Sequence, residues 1–427
     1  MPSSVVNNKK LMILIRTGFF HIFGSSVINK IIAFMSSIVL VRILTKQEYG
    51  VFTYAWNIYS IVLLFNGMGT DSGVLQLASE KNEDTNFADR TSNYGTRFGI
   101  RFNVILMIVL LSIGLFVPLK IEGAGRLLCF LCLMPIPQLL YQMTTIYMRS
   151  QKQNREFARL TVFNTALLFI SSATMAWGFR EIGLIMGYYI AYFTSYIVGY
   201  VVYHISILNH SQHFGKKDRY DLLKISFISM LNNGLSQAMY LLDIFMLGIA
   251  NPQEIMLASY KVATMIPTAL TFIPTALITY LYPYFAEHRN NGTWCLQAYK
   301  KVLLGLSGTN FIIAIVLFLE APLIIQLFFG AQYLDAVPVF RILSLNYFIS
   351  GTFRIISGNL LVTQRKLTFN LFVAVVSSIA NVIADYLFIQ WWGSLGAAMA
   401  TVLVVVISSI LSTGYLVHIF YRNRKVK

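Results

Sequence analysis

The feature that most constrains this chain is the length of its apolar runs. Residues 311–319 carry no polar side chain, and in 371–384 and 397–411 the only polar groups are serine, threonine and asparagine. About 20 mostly apolar residues in a helix cross the ~30 Å hydrocarbon layer of a bilayer. Of 427 residues, 56% are hydrophobic and 12% charged, about half the charged share of a soluble domain. A water-soluble fold of this length could not bury that much apolar surface. Lipid offers the backbone no hydrogen bonds, so each run must be helical. The expected fold class is an all-α polytopic membrane protein.

Hydropathy and turn residues place spans near 15–41, 50–75, 98–117, 127–148, 160–178 and 183–204, then near 224–250, 256–285, 302–319, 338–362, 368–389 and 394–420. The segment 321–330 is apolar but short. Lys9, Lys10 and Arg16 precede the first run as in a signal peptide, yet that run continues to residue 41, too far for a cleaved core, so it reads as a retained helix. A formal net charge of +16 would suggest nucleic acid for a soluble protein. Here the basic residues sort by loop. With the N-terminus in the cytoplasm, 24 of the 33 lysines and arginines fall on the inner side and six on the outer, while Lys30, Lys261 and Arg354 lie within spans. That bias is the positive-inside pattern: it supports twelve spans with both termini cytoplasmic and leaves no case for a nucleic-acid partner.

An internal repeat adds to this. Gln47-Glu48 recurs as Gln253-Glu254 and Tyr54 as Tyr260, an offset near 206. Arg149-Ser-Gln-Lys152 matches Thr363-Gln-Arg-Lys366, and Gly183 to Gly187 matches Gly393 to Ala397. Six spans per half enter the membrane the same way round, so the expected architecture is two six-helix bundles related as parallel repeats. The bundles are read as 1–205 and 222–427, with 206–221 as a cytoplasmic linker loop.

These residues resemble the polysaccharide transporter branch of the MOP exporter superfamily, which includes the Wzx-type O-antigen flippases. The first-half signature is Leu40-Val-Arg42-Ile-Leu44-Thr-Lys-Gln-Glu48-Tyr49-Gly50. The second half adds Asp243, Tyr260, Pro283, the stretch Leu327-Phe-Phe-Gly330-Ala-Gln-Tyr333, Asn381-Val-Ile-Ala-Asp385 and Gly393-Ser-Leu-Gly396-Ala-Ala398. The similarity runs over nearly the whole chain and implies a MATE-like fold. The rival major facilitator signature is matched only by Asp89-Arg90, with the following glycine, Gly95, three positions late.

No arrangement of residues reads as catalytic, as a nucleotide-binding loop or as a metal site, so neither an enzyme nor a cofactor is expected. Three cysteines and six dispersed histidines read as structural or interfacial. The informative residues are ionisable groups at membrane depth, each costing ~2.5–3.5 kcal/mol if it faced lipid at a helix centre. They are Lys30, Lys261 and Arg354 among the cations and Asp71, Asp243 and Asp385 among the acids. The cations are candidates for binding an anionic substrate. The acids are candidates for coupling or for ion pairing, with Lys261–Asp243 the expected pair. Gly67, Gly69 and Gly73 in the second span, with Pro267 and Pro274 in the eighth, are candidates for helix bends beside a cavity.

The family resemblance implies a flippase that moves a polyprenyl-diphosphate-linked oligosaccharide across a bacterial cytoplasmic membrane for O-antigen, capsule or exopolysaccharide synthesis. It assigns Lys30 and Arg354 to the diphosphate, and implies membrane lipid, a polysaccharide polymerase and glycosyltransferases as partners. Two other readings stand beside it. One is a cation-coupled multidrug exporter of the same superfamily; the other is a non-transporting scaffold of a glycan synthase complex.

Overall fold

Helices break where the backbone must turn, and in this chain the breaks delimit the spans. The structure, a computed structural model, describes residues 19–80, 85–208, 214–250 and 253–425, and no strand occurs among them. Lys9, Lys10, Arg16, Lys81, Lys427 and the middle of the expected linker, 209–213, lie outside the described residues. The chain divides into two units, Met1–Ala238 and Met239–Lys427.

In the first unit α1 (Phe19–Ile43) is followed by α2 (Lys46–Val62), whose start is a capping box: Thr45 Oγ1 accepts from the Glu48 amide and Glu48 accepts from the Thr45 amide. A 3-10 segment, Leu63–Gly69, leads to α3 (Thr70–Glu80). Then come α4 (Thr85–Phe116), α5 (Ala124–Leu131) and α6 (Pro135–Ser150), the last two bent by 48°. Helix α7 (Asn154–Val201) has 48 residues, over twice what a span requires. It breaks at Phe179 and at Arg180 (φ 53°, ψ −134°), making two spans. A Cβ on Gly183 would collide with the Met175 carbonyl, and one on Gly187 with the Ser172 backbone, so the two arms pack back on each other as a tight hairpin.

Helix α8 (Lys216–Ala250) runs through the boundary between the units. The second unit continues with α9 (Glu254–Leu270), α10 (Phe272–Glu287), α11 (Gly292–Leu319), α12 (Ala321–Phe329), α13 (Val337–Ile349), a π turn at Ser350–Arg354, α14 (Ile355–Thr363) and α15 (Leu367–Lys425). Helix α15 also exceeds one span and breaks at Gly393 (φ 55°, ψ −128°). Eight described helices are long and apolar enough to cross a membrane, or nine with the bent α5–α6 pair. Breaking α7 and α15, each over twice a span in length, makes eleven, and α8 adds the shorter apolar stretch Leu241–Ala250.

The core of the first unit gathers Leu139, Met143, Leu160 and Val74 from the helices, Ile205 from the end of the expected first bundle, and Ile207 and Phe214 from the expected linker. The expected linker is described on both sides of residues 209–213. Residues 205, 207 and 214 are buried, and residues 216–221 already belong to α8. The second core gathers Tyr299, Ile356, Leu360, Leu416 and Phe420.

The repeat is real at the backbone, in a register that the sequence matching missed. Arg180 and Gly393 share one conformation, 213 residues apart. Gly183 and Gly396 each sit against the carbonyl eight residues before them, Met175 and Phe388. Lys152 (φ 57°) and Arg365 (φ 58°) close the same helix C-terminus. The Lys152 amide donates to Arg149 and Gln153 to Met148; the Arg365 amide donates to Val362 and Lys366 to Leu361. Gly183 thus corresponds to Gly396 rather than Gly393, and Lys152 to Arg365 rather than Lys366. Side-chain identity misled because the tight turn needs a backbone shape, which one half supplies with glycine and the other with arginine.

Candidate functional site

In the second unit a cavity of about 390 Å³ is lined by Asp243, Tyr260, Lys261, Arg354, Asn381 and Thr401 among others. Local structure explains how they meet. Pro267 has no amide hydrogen to give α9, and α9 ends three residues later; Pro274 stands in the first turn of α10, where an amide has no intrahelical partner. Both prolines therefore fall at the discontinuity of this span, next to Thr268 and Thr271 of the cavity wall. Arg354 closes the π turn, a local widening that re-aims side chains. The hairpin at Gly393 sets the two arms of α15 antiparallel, with Asn381 and Asp385 one helical turn apart on one arm and Thr401 on the other.

Asp243 is 9% exposed and is the hub of the cluster. Its Oδ2 accepts from the Tyr260 hydroxyl at 2.8 Å and the Thr401 hydroxyl at 2.7 Å, and its Oδ1 from the Asn381 amide at 3.3 Å. Asp385 is fully buried and faces Asp243. No neutral donor reaches either oxygen of Asp385, whose side-chain partner is the Asp243 carboxyl, and the buried Asn381 Oδ1 has no hydrogen-bond partner. Two carboxyls in contact, one of them reached by no neutral donor, are suited to sharing a proton. The expected Lys261–Asp243 ion pair does not form: among the described residues no carboxylate lies within 4.0 Å of Lys261. Asp243 is satisfied by three neutral donors instead, which leaves the lysine to the cavity.

Of the remaining candidates, Lys30 is exposed on α1 in the first unit. Asp71 lies in the first turn of α3, where its Oδ2 accepts from the Gln142 amide at 2.8 Å. The backbone ahead of it is non-helical at Asn66 (ψ 123°), Gly67 (φ 54°) and Met68 (φ 53°). At Gly69 (φ 71°) a Cβ would stand 2.5 Å from the Ser226 carbonyl, and at Gly73 it would strike Ser226 Oγ.

Sequence reasoning missed Asn103 and Asn310. Both are fully buried, and each holds an irregular segment in place. Asn103 Oδ1 accepts from the Gly67 amide at 2.7 Å, and its Nδ2 donates to Asn66 Oδ1 and to the Pro135 carbonyl, each at 2.8 Å. Asn310 Nδ2 donates to Thr352 in the π turn at 3.2 Å, and its Oδ1 accepts from Tyr347 at 2.9 Å. The signal was there: Asn103-Val-Ile105-Leu-Met-Ile108-Val109-Leu110 and Asn310-Phe-Ile312-Ile-Ala-Ile315-Val316-Leu317 share five of eight residues. An amide amid so apolar a run needs a partner.

A family model described as polysaccharide biosynthesis protein matches residues 39–338, well over half of the chain. The chain belongs to the polysaccharide biosynthesis protein family. Solved structures place this family member in the MOP exporter fold. It is similar to a lipid II flippase MurJ in an inward closed conformation, with a TM-score of 0.74, 16% identity, and coverage of 95% of this chain and 90% of that one. It is similar to an inward-facing multidrug resistance MATE transporter, with a TM-score of 0.76, 12% identity, and coverage of 93% and 96%. A MOP superfamily transporter from Pyrococcus furiosus matches with a TM-score of 0.62 at 12% identity, covering 96% of both chains. None of the curated protein sequences compared matches this family member.

Proposed function

We propose that this protein flips a polyprenyl-diphosphate-linked oligosaccharide from the inner to the outer leaflet of a bacterial cytoplasmic membrane. The observation that carries the reading is the placement of Lys261 and Arg354 on one cavity within spanning helices. Both side chains bring positive charge to the wall of that cavity, where an anionic group can meet them. A diphosphate suits the pair, since arginine offers a fork of donors and lysine a point charge. Family membership supplies the pathway class.

In this reading the headgroup enters the protein while the prenyl tail stays in lipid, and the two six-helix units alternate access around it. Both termini lie in the cytoplasm, and a polymerase and glycosyltransferases act beside the protein in surface polysaccharide synthesis. Asp243 and Asp385 hold the coupling proton or cation. An inside-negative potential favours outward passage of the anion by about 2.3 kcal/mol per charge per 100 mV.

Complementation of a strain deleted for the gene tests this. Lys261→Ala and Arg354→Ala should each reduce surface glycan about tenfold or more, while Arg354→Lys keeps part of the activity by retaining the charge. Wild-type glycan levels in the Lys261→Ala, Arg354→Ala double variant, at equal expression, would refute the proposal.

A further inference from the structure

The first unit carries a second cavity of about 290 Å³, and its chemistry differs from that of the cationic one. Its polar wall includes Ser60, Asn66, Asp71, Gln138, Gln142, Asn233 and Gln237, beside the rings of Trp56 and Tyr59. Among the described residues no lysine or arginine lines it, and Asp71 is its one charged group. The broken second span creates it: the non-helical turn at 66–68 brings Asn66 to the wall instead of continuing the helix.

The polar groups form a relay that fixes their orientation. Asn103 donates to Asn66 at 2.8 Å, Asn66 to Gln142 Oε1 at 2.9 Å, and Gln142 to Asp71 at 2.8 Å. The Tyr59 hydroxyl donates to Gln138 Oε1 at 2.7 Å, so the Gln138 amide nitrogen keeps both its hydrogens for a ligand. Trp56 is held in an aromatic group, 5.1 Å from Tyr59 and 4.7 Å from Tyr188 between ring centroids. Gln237 and Asn233 are exposed along the wall.

Planar amides with one carboxylate, pre-oriented and set beside aromatic faces, match a ligand that is dense in paired hydroxyl donors and acceptors and carries apolar C–H faces. That is a saccharide. A phosphate would find no cation here, and an apolar ligand would strand the amides without partners. The volume lies at the lower end of small-molecule sites, about 300 Å³, which suits the sugar next to the lipid anchor rather than a whole oligosaccharide.

We infer that the 290 Å³ cavity of the first unit is a saccharide subsite, which recognises a sugar residue of the lipid-linked substrate through Asp71, Gln138, Gln142 and the Trp56 ring. It rests on the transport reading above, and specifies where neutral sugar chemistry is read.

Native mass spectrometry of the purified full-length protein can test it with two competing probes: undecaprenyl diphosphate, and the glycan-bearing lipid extracted from cells deleted for the gene. Wild type should retain both and prefer the glycan-bearing lipid about tenfold, the equivalent of one or two net hydrogen bonds. Asp71→Asn and Trp56→Ala should keep undecaprenyl diphosphate and lose the preference. Gln237→Ala and Asn233→Ala alter exposed wall residues and should weaken the preference even if the buried-site variants fail to fold. Lys261→Ala should lose both lipids. A wild-type preference that persists in the folded wall variants overturns the subsite alone. Retention of neither lipid by wild type overturns the transport reading, and the subsite with it.

Discussion

Substituting Asp385 with asparagine separates a coupling group from a structural one. The side chain is fully buried, and no neutral donor reaches either of its oxygens. Holding an ionised carboxylate there costs several kcal/mol of lost solvation even after relaxation, and Asp243 opposite adds like-charge repulsion. The amide is nearly isosteric, carries no charge, and can donate to Asp243. Set against this is a second amide hydrogen left without a partner, about 1–3 kcal/mol. The net expectation is a stabilisation of roughly 1–3 kcal/mol. In a chain of this size that corresponds to a rise of roughly 1–3 °C in the apparent unfolding midpoint. Transport should fall sharply, because the group that exchanges the proton or cation is gone. The assay pairs thermal unfolding in detergent with glycan export from the same expression strain. Wild-type export would remove Asp385 from coupling. A lowered midpoint with lost export would instead make it a structural acid whose partners the amide cannot replace.

Further outcomes follow from the local geometry. Gly69→Ala places a Cβ 2.5 Å from the Ser226 carbonyl at φ 71°; left-handed strain of about 1–2 kcal/mol plus overpacking of about 1–3 kcal/mol should lower the unfolding midpoint by several degrees. Gly178→Ala, where a Cβ meets nothing within 4 Å, is the control and should be neutral or slightly stabilising. Asn310→Ala leaves Tyr347 and Thr352 without their partner and should cost about 1–3 kcal/mol, read by chemical unfolding in detergent. Arg180→Lys should destabilise the helical hairpin, because lysine cannot reproduce the paired contacts of 2.9 and 2.8 Å to Glu48 or the third bond to the Ile43 carbonyl; proteolysis at the 179–180 turn should quicken.

Much of the fold was legible because lipid imposes a single rule on every span. Apolar length and the side on which lysines and arginines fall do not depend on tertiary detail, so the spans near 160–178 and 183–204 bracket the observed break at Arg180, and those at 368–389 and 394–420 bracket Gly393. The site was legible only as a set of costly residues. That Asp243, Lys261, Arg354 and Asp385 belong to one neighbourhood, whereas Lys30 lies in the other unit, depends on packing that hydropathy does not encode. The Lys261–Asp243 pairing failed for a physical reason: opposite charges near each other in sequence suggested an ion pair, yet Tyr260, Thr401 and Asn381 offer Asp243 hydrogen bonds without a second desolvated charge.

The repeat shows how one backbone plan can carry two chemistries. The turn that Gly393 makes without strain is made at the equivalent point of the first unit by Arg180, in a backbone region that disfavours side chains. Its guanidinium compensates by bridging Glu48, the residue that also caps α2, and the Ile43 carbonyl. The first unit therefore uses a cation at a helix turn to tie the end of α1 and the start of α2 to α7, and its cavity is left to amides, one carboxylate and aromatic rings. In the second unit glycine makes the turn without a side chain, and Lys261, Arg354 and Asp243 line the cavity instead. The proposed substrate, with an anionic and a neutral polar part, has a use for both cavities. Exchange of the turn residues bears on the same point. Gly393→Ala should strain the second hairpin by about 1–3 kcal/mol with no compensating bond, whereas Arg180→Gly relieves strain and loses the Glu48 bridge, so its net effect on the unfolding midpoint should be the smaller of the two. A larger loss from Arg180→Gly would mean that the bridge, and not the backbone turn, is what holds the hairpin.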